Sequence, residues 1–229
     1  MKMTFRWYGS GFDPIPLKYI RQIPGVSGVV GTLMDVPAGE LWPLEKIKAL
    51  QKEVNDAGLK LEVIESVNVH EDIKLGLPTR DRYIENYKQT LRNLKEIGVK
   101  VVCYNFMPVF DWTRSDLAKV LPDGSNALSY DQSVIDKITD PQKMADEIQK
   151  DSGGFEMPGW EPERMASLKK LFEQYKSISH DDLFANLKYF LERIIPVCEE
   201  CDIKMAIHPD DQPWDIFGLP RITTKAENL

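Results

Sequence analysis

The run Ala206-Ile207-His208-Pro209-Asp210-Asp211 places an imidazole and two carboxylates at the end of a short apolar stretch. Those groups can bind a divalent cation or move protons. A period of two from Lys204 to Pro209 puts Ala206 and His208 on one strand face and Met205 and Ile207 on the other. Imidazole beside a small residue is how a strand presents a ligand to a pocket. A histidine that caps a strand or is hydrogen-bonded in a turn has the same spacing. Further candidates stand at the ends of earlier apolar runs: Arg6, Trp7 and Tyr8, then Asp35, then Glu65 and Ser66, then Asn105. Carboxylates, an amide, a guanidinium, aromatics and an imidazole together suit a polyhydroxylated, anionic small molecule beside a divalent metal.

The aromatic-rich loop Phe106-Met107-Pro108-Val109-Phe110-Asp111-Trp112-Thr113-Arg114 follows Asn105. Arg114 fits either a bidentate hold on a substrate carboxylate or a surface ion pair. Trp112 fits a substrate platform or a packing role, and Glu65 a site acid or a salt-bridged rim residue. His70, in Val69-His70-Glu71-Asp72, either joins the site or caps the next turn. His180 opens a helix and reads as structural.

These residues need strands to carry them. Five short apolar runs, Thr4 to Tyr8, Gly28 to Leu33, Leu61 to Ser66, Val99 to Phe106 and Lys204 to Pro209, alternate with amphipathic stretches. Leu44, Ile47, Leu50, Val54 and Ala57 form a helical stripe opened by Pro43 and closed by Gly58. Tyr83, Tyr87, Leu91, Leu94 and Ile97 repeat it, with Thr79 as the expected N-cap and Gly98 as the stop. Strand, loop, helix and strand at this cadence predict an α/β fold with a parallel sheet and right-handed crossovers, whose ligand site lies at the strands' C-terminal ends. The rhythm breaks from 107 to 179 into a turn-rich insertion with Pro122-Asp123-Gly124, Ser152-Gly153-Gly154 and Met157-Pro158-Gly159. Such a stretch is commonly a lid or an oligomer contact. Within it Met165, Leu168, Leu171, Phe172 and Tyr175 predict a helix. Phe184, Leu187, Leu191, Ile194 and Cys198 predict the next, capped by Ser179 with Asp182 and kinked or broken at Pro196. One domain over 1–229 is expected, with 107–179 inserted in it.

Composition narrows the partners. The chain has 229 residues, 42% hydrophobic and 28% charged, and no apolar run approaches the ~20 residues of a membrane helix. A net charge of −7 without a basic cluster offers no footprint for nucleic acid. No secretory signal is read at the start, so cytoplasm is the expected compartment. Cys103, Cys198 and Cys201 are expected as reduced thiols, and the Cys198-x-x-Cys201 pair as core-facing on a helix.

Long motifs then carry a resemblance. Phe5-Arg6-Trp7-Tyr8-Gly9, Glu65-Ser66-Val67 with His70-Glu71-Asp72-Ile73-Lys74, and Asn86-Tyr87 with Thr90-Leu91-Arg92-Asn93-Leu94 resemble the mannonate dehydratase family. So do the run from Cys103 to Arg114, Leu121-Pro122-Asp123-Gly124-Ser125, His208-Pro209-Asp210-Asp211 and Gly218-Leu219-Pro220-Arg221-Ile222. The resemblance spans essentially the whole chain.

It implies a (β/α)8 TIM barrel, with this chain covering roughly the first five βα units plus the insertion after the fourth strand. It also implies a hydro-lyase that converts D-mannonate to 2-keto-3-deoxy-D-gluconate in hexuronate (glucuronate) breakdown, with Mn or Fe as the cofactor. His208 is the implied metal ligand and Asp210 and Asp211 the catalytic candidates. Arg6, Trp7, Glu65, Asn105, Trp112 and Arg114 are the substrate-binding candidates. The family's other ligands, a Cys, a second His and an Asp, have no counterpart before Leu229, and Met34 stands where relatives carry a His. The expected partner is a small sugar acid, and a homo-oligomer is compatible with the long insertion. Two alternatives stay open: a metal-dependent sugar isomerase on the same barrel, and a non-catalytic fragment that associates through open barrel edges.

Overall fold

The computed structural model describes residues 1–137 and 168–228. In chain order the elements begin with β1 (Met3–Arg6), α1 (Leu17–Ile20), β2 (Val26–Gly31), α2 (Leu44–Asp56), β3 (Lys60–Glu65), α3 (Glu71–Lys74), α4 (Arg80–Glu96) and β4 (Val101–Tyr104). They continue with β5 (Asp116–Val120), β6 (Asn126–Ser129), α5 (Gln132–Ile135), α6 (Leu168–Tyr175), α7 (His180–Cys201) and β7 (Lys204–Ile207), then a 3-10 turn at Ala226–Asn228. The chain divides into two compact units, Met1–Phe106 with Asp181–His208, and Met107–His180 with Pro209–Leu229.

The first unit holds a five-stranded sheet in the order β1-β2-β3-β4-β7, every pair parallel. This is the mixed α/β arrangement expected from the alternating runs. Parallel neighbours require a crossover, and helices supply it. α2 and α4 each end in the same device. Gly58 and Gly98 adopt φ of +74° and +80°, which a glycine reaches without Cβ strain. The next residue then bonds back into the last turn, Leu59 N–H to the Val54 carbonyl at 3.2 Å and Val99 N–H to the Leu94 carbonyl at 3.3 Å. Leu59 and Val99 are buried as a result, and the chain passes straight into the following strand.

Register and burial define two unlike faces. Gly31, Ile64 and Val102 lie in one cross-strand row, and Ile64 and Val102 are wholly buried. A Cβ on Gly31 would come within 3.7 Å of Leu50 on α2. Tyr104, of the same parity as Val102, meets Phe190 of α7 at 6.0 Å, and Phe190 meets Tyr87 of α4 edge-on at 5.0 Å. The helices therefore cover this face. The other parity carries Arg6, Val30, Val63, Glu65, Val101, Cys103 and Ala206, all only half-buried.

Some local expectations shift. The strands stop earlier than the apolar runs suggest, because Trp7, Phe106 and their neighbours are buried in loops rather than in the ladder. Thr79 stands at the N-cap of α4, yet its hydroxyl donates to Asp72 instead of capping the helix. Pro196 does not break α7, which continues to Cys201. One lost backbone hydrogen bond is outweighed there by the burial of Ile194, Val197, Cys198 and Cys201. Cys198 and Cys201 are free and buried, as expected of a core-facing pair.

The second unit contains the antiparallel hairpin β5–β6, turned at Pro122-Asp123-Gly124, where Leu121 N–H bonds the Ser125 carbonyl at 2.8 Å. Phe110 is fully buried and packs on Phe172 of α6 at 6.0 Å and on Phe217 at 6.1 Å. α6 matches the helix expected from Leu168 to Tyr175. Met165, Ser152-Gly153-Gly154 and Met157-Pro158-Gly159 lie outside the described residues. Among the described residues no helix is long and apolar enough to cross a membrane.

Burial in the first unit has a titration consequence. It is the main cause that pushes the Tyr104 phenol up to about 12, from an ordinary 10.0. It likewise pushes the Cys198 thiol up to about 11, from 9.0. Raised values mean that the folded chain holds these protons more tightly than the unfolded chain does, so their contribution is intact below pH ~9 and is lost as pH rises through ~11 to ~12. The urea unfolding midpoint is expected to be flat from pH 7 to about 9 and to fall above it. A midpoint that stays level to pH ~11 would contradict this.

Candidate active site

The half-buried sheet face gathers chemistry at its C-terminal edge. Arg6 ends β1 and Glu65 ends β3; Cys103 lies on β4 opposite both Glu65 and Ala206. Asn105 is buried and follows Cys103 by two, and His208 is exposed and follows Ala206 by two. The His208 N–H donates to the Tyr104 carbonyl at 2.8 Å, which carries the β4–β7 pairing one step past β7.

Arg6 is held on one side and open on the other. Its Nη1 donates to the Trp7 carbonyl at 3.2 Å and to the Val30 carbonyl at 3.3 Å, and its guanidinium carbon lies 4.3 Å from the centre of the Tyr8 ring. The Nε–Nη2 edge has no hydrogen-bond partner among the described residues. Burial pushes the guanidinium below its ordinary value, while Tyr8, Glu65, Cys103 and Asp13 pull it back. An arginine stays charged under such a shift. Burial, and next the Glu65 charge, push the Cys103 thiol up against the smaller pull of Arg6, so it is a neutral thiol near pH 7.

Trp7 has the opposite parity to Arg6. It is buried, and its indole N–H donates to the Ile15 carbonyl at 3.2 Å, so it packs beneath the strand end and away from the open face. His70 caps α3, accepting from Asp72 N–H at 3.1 Å, and stacks on Tyr83 at 3.7 Å. Asp35 pairs with Lys46 at 2.6 Å on the surface. A shallow recess in this unit is lined by Leu33, Val36 to Glu40 and Trp42, by Val67 and Asn68 and by Tyr87 and Thr90 of α4, and by none of the sequence-predicted site residues.

The other candidates belong to the second unit. Arg114 forms a two-pronged ion pair with Asp211, at 2.6 and 3.1 Å, and donates to the Thr113 carbonyl at 2.8 Å. Its guanidinium lies 5.2 Å from the Trp112 ring centre. Of the two readings of Arg114, the geometry matches the ion pair. Asp210 is buried; its Oδ2 accepts the N–H groups of Ile222 at 2.6 Å and Thr223 at 2.9 Å, which pins the segment after it. His180 bonds Asp215 at 2.8 Å, as expected of a structural histidine.

Among the described residues no three His, Cys, Asp or Glu side chains cluster closely enough to share a metal ion. The donors present do not by themselves make the metal site that the resemblance implies. The sequence placed Tyr8 at a strand end without a separate role and marked Cys103 only as a reduced thiol, not as a neighbour of Arg6 and Glu65. The period of two that links Arg6 to Tyr8 and Cys103 to Asn105 was the available signal.

A parallel α/β sheet with arginine, carboxylate, amide and imidazole at the strand ends of one open face is the layout of an α/β enzyme. The family model for D-mannonate dehydratase (UxuA) matches residues 1–229, and the chain belongs to that family. It is 64% identical over 229 residues to a mannonate dehydratase of Thermotoga neapolitana, covering 100% of this chain and 63% of that protein. For a mannonate dehydratase of Geobacillus thermodenitrificans the identity is 62%, covering 100% and 62%. A crystal structure of mannonate dehydratase from Streptococcus suis serotype2 superposes with a TM-score of 0.85 at 51% identity, over 100% of this chain and 59% of that one. The chain thus spans about 63% of the length of the curated relatives.

The Arg114–Asp211 pair is partly shielded, with side chains 18% and 32% exposed. A double-mutant cycle with Arg114→Ala and Asp211→Ala, read by urea unfolding, is expected to give a coupling of about 1 kcal/mol that shrinks with added salt. A coupling indistinguishable from zero would make the pair incidental.

Proposed function

We propose that this chain supplies the first five βα units of a (β/α)8 barrel, and that the protein dehydrates D-mannonate to 2-keto-3-deoxy-D-gluconate in hexuronate breakdown. Family membership and one observation support this reading. The observation is the Nε–Nη2 edge of Arg6, which has no hydrogen-bond partner among the described residues, at the strand ends of the half-buried face. A guanidinium fixed by two backbone carbonyls and an aromatic ring, with its second edge free, is shaped for a planar carboxylate. Such a group distinguishes a sugar acid from a neutral aldose.

The reaction is a β-elimination. A base removes the C2 proton beside the carboxylate, the C2–C3 double bond forms as the C3–O bond breaks, and an acid donates a proton to the departing hydroxyl, which leaves as water; the enol then becomes the keto acid. Arg6 holds the substrate carboxylate equally in the ground state and in the transition state, as a binding group. Glu65 and Asn105, on the same face, accept from and donate to substrate hydroxyls. By likeness to the family the protein is metal-dependent, with Mn or Fe as the ion and His208 as one ligand. The remaining ligands would come from outside the described residues, which hold no complete set. Asp211 and Asp210 serve in this reading to shape the segment after His208, through Arg114 and through the backbone at 222–223.

Purified protein, at the full length its gene encodes, is to be incubated with D-mannonate and separately with aldoses, each with Mn²⁺, and the products identified. Keto-deoxy acid from mannonate is expected, and Arg6→Gln should raise KM about tenfold or more with a smaller change in kcat. Ketose from aldoses without keto-deoxy acid would sink the dehydratase reading in favour of an isomerase.

A further inference from the structure

We propose that Tyr8 is a positioning residue that holds the Arg6 guanidinium, by stacking beneath it, as the receptor for the carboxylate of a sugar acid. The inference rests on the proposed function and adds a residue to it. Arg6 has a long side chain, and two long carbonyl contacts on a single nitrogen, at 3.2 and 3.3 Å, leave the plane of its fork free to swing. The Tyr8 ring at 4.3 Å supplies the missing constraint, because a stacked guanidinium lies flat and keeps its outer edge in one direction.

Tyr8 is itself anchored. Its backbone N–H donates to Asp13 Oδ2 at 3.1 Å, and Asp13 Oδ1 accepts the Ile15 N–H at 2.8 Å. Asp13 N–H in turn donates to the Gly9 carbonyl at 2.9 Å, closing the turn that follows Tyr8. One carboxylate therefore ties both limbs of the loop after β1 and sets the ring under Arg6. On the buried side of the strand end, the Trp7 indole bond to the Ile15 carbonyl fixes the same loop.

The contact differs from other arginine–aromatic pairs in the protein. Arg80 and Arg193 lie 3.4 and 3.1 Å from the Tyr189 ring, but on helices α4 and α7, where Tyr189 donates to Asp81 and Arg80 to Asn186. Arg114 lies over Trp112 with its fork filled by Asp211. Arg6 combines a stacked plane, an open edge and a place beside Glu65 at the strand ends.

The test compares Tyr8→Phe, Tyr8→Leu and Tyr8→Gln in the full-length protein, each checked for folding by circular dichroism. Two readouts are needed: KM against kcat with D-mannonate, and the rate at which phenylglyoxal labels Arg6, followed by peptide mass with and without D-mannonate. Tyr8→Phe keeps the ring and is expected to match the wild type in both. Tyr8→Leu and Tyr8→Gln should raise KM about three- to tenfold with kcat little changed, speed labelling of Arg6, and weaken its protection by mannonate. Unchanged KM and labelling in Leu and Gln would overturn the role of Tyr8 while leaving the carboxylate site standing. Loss in Tyr8→Phe equal to that in Tyr8→Leu would also overturn it, since the hydroxyl and not the ring would matter. Wild-type protein in which mannonate neither turns over nor protects Arg6 would overturn the carboxylate site itself, and the inference with it.

Discussion

Parallel strand pairing is the constraint on which the first unit depends. Two parallel neighbours cannot be joined by a tight turn, so each connection must travel back along the sheet, and helices make that journey. With right-handed crossovers and strands in sequential order, α2, α4 and α7 arrive on the same side. Val29, Ile64 and Val102 are wholly buried beneath them. The opposite face is left half-buried, and every strand points its C-terminal end the same way along it. Arg6, Glu65, Asn105 and His208 all come to the strands' C-terminal edge for that reason, although 202 positions separate the first from the last in the chain.

Two arginines of equal chemistry illustrate how surroundings decide a role. Arg114 meets Asp211, the pair neutralises itself, and the fork is filled. Arg6 meets backbone carbonyls and an aromatic ring, which orient it without cancelling its charge. Glu65 and Asp13 act on Arg6 through their fields without closing on its fork. A guanidinium oriented in this way presents its second edge to solvent or to a ligand without first having to break an ion pair.

The three histidines stand in three different settings. His70 is consumed by a helix cap and a stacking contact, and His180 by Asp215. His208 sits just past β7 with its backbone in the ladder and its side chain exposed. Raised thiol values at Cys103 and Cys198 come mainly from burial, so these cysteines behave as small apolar groups that fill the sheet and α7 rather than as nucleophiles.

The strands, the two glycine-ended helices and the family motifs were legible in the sequence, because periods of two and 3.6 and the left-handed turns of Gly58 and Gly98 are local properties of adjoining residues. Local patterns could also have separated Arg6 from Trp7, whose opposite parities send one to the open face and the other to the core. Other choices depended on residues far apart in the chain. That Arg114 would be filled by a carboxylate 97 positions away, that Asp210 would spend its Oδ2 on the backbone at 222–223, and that Arg6 would have no partner for its second edge among the described residues were decided by tertiary structure. Hydrogen bonds and ion pairs of that kind are settled by which groups packing brings within about 3 Å, and no spacing along the chain encodes that distance. The sequence by itself determined which residue types stand at which strand ends; the fold decided which groups each of them meets.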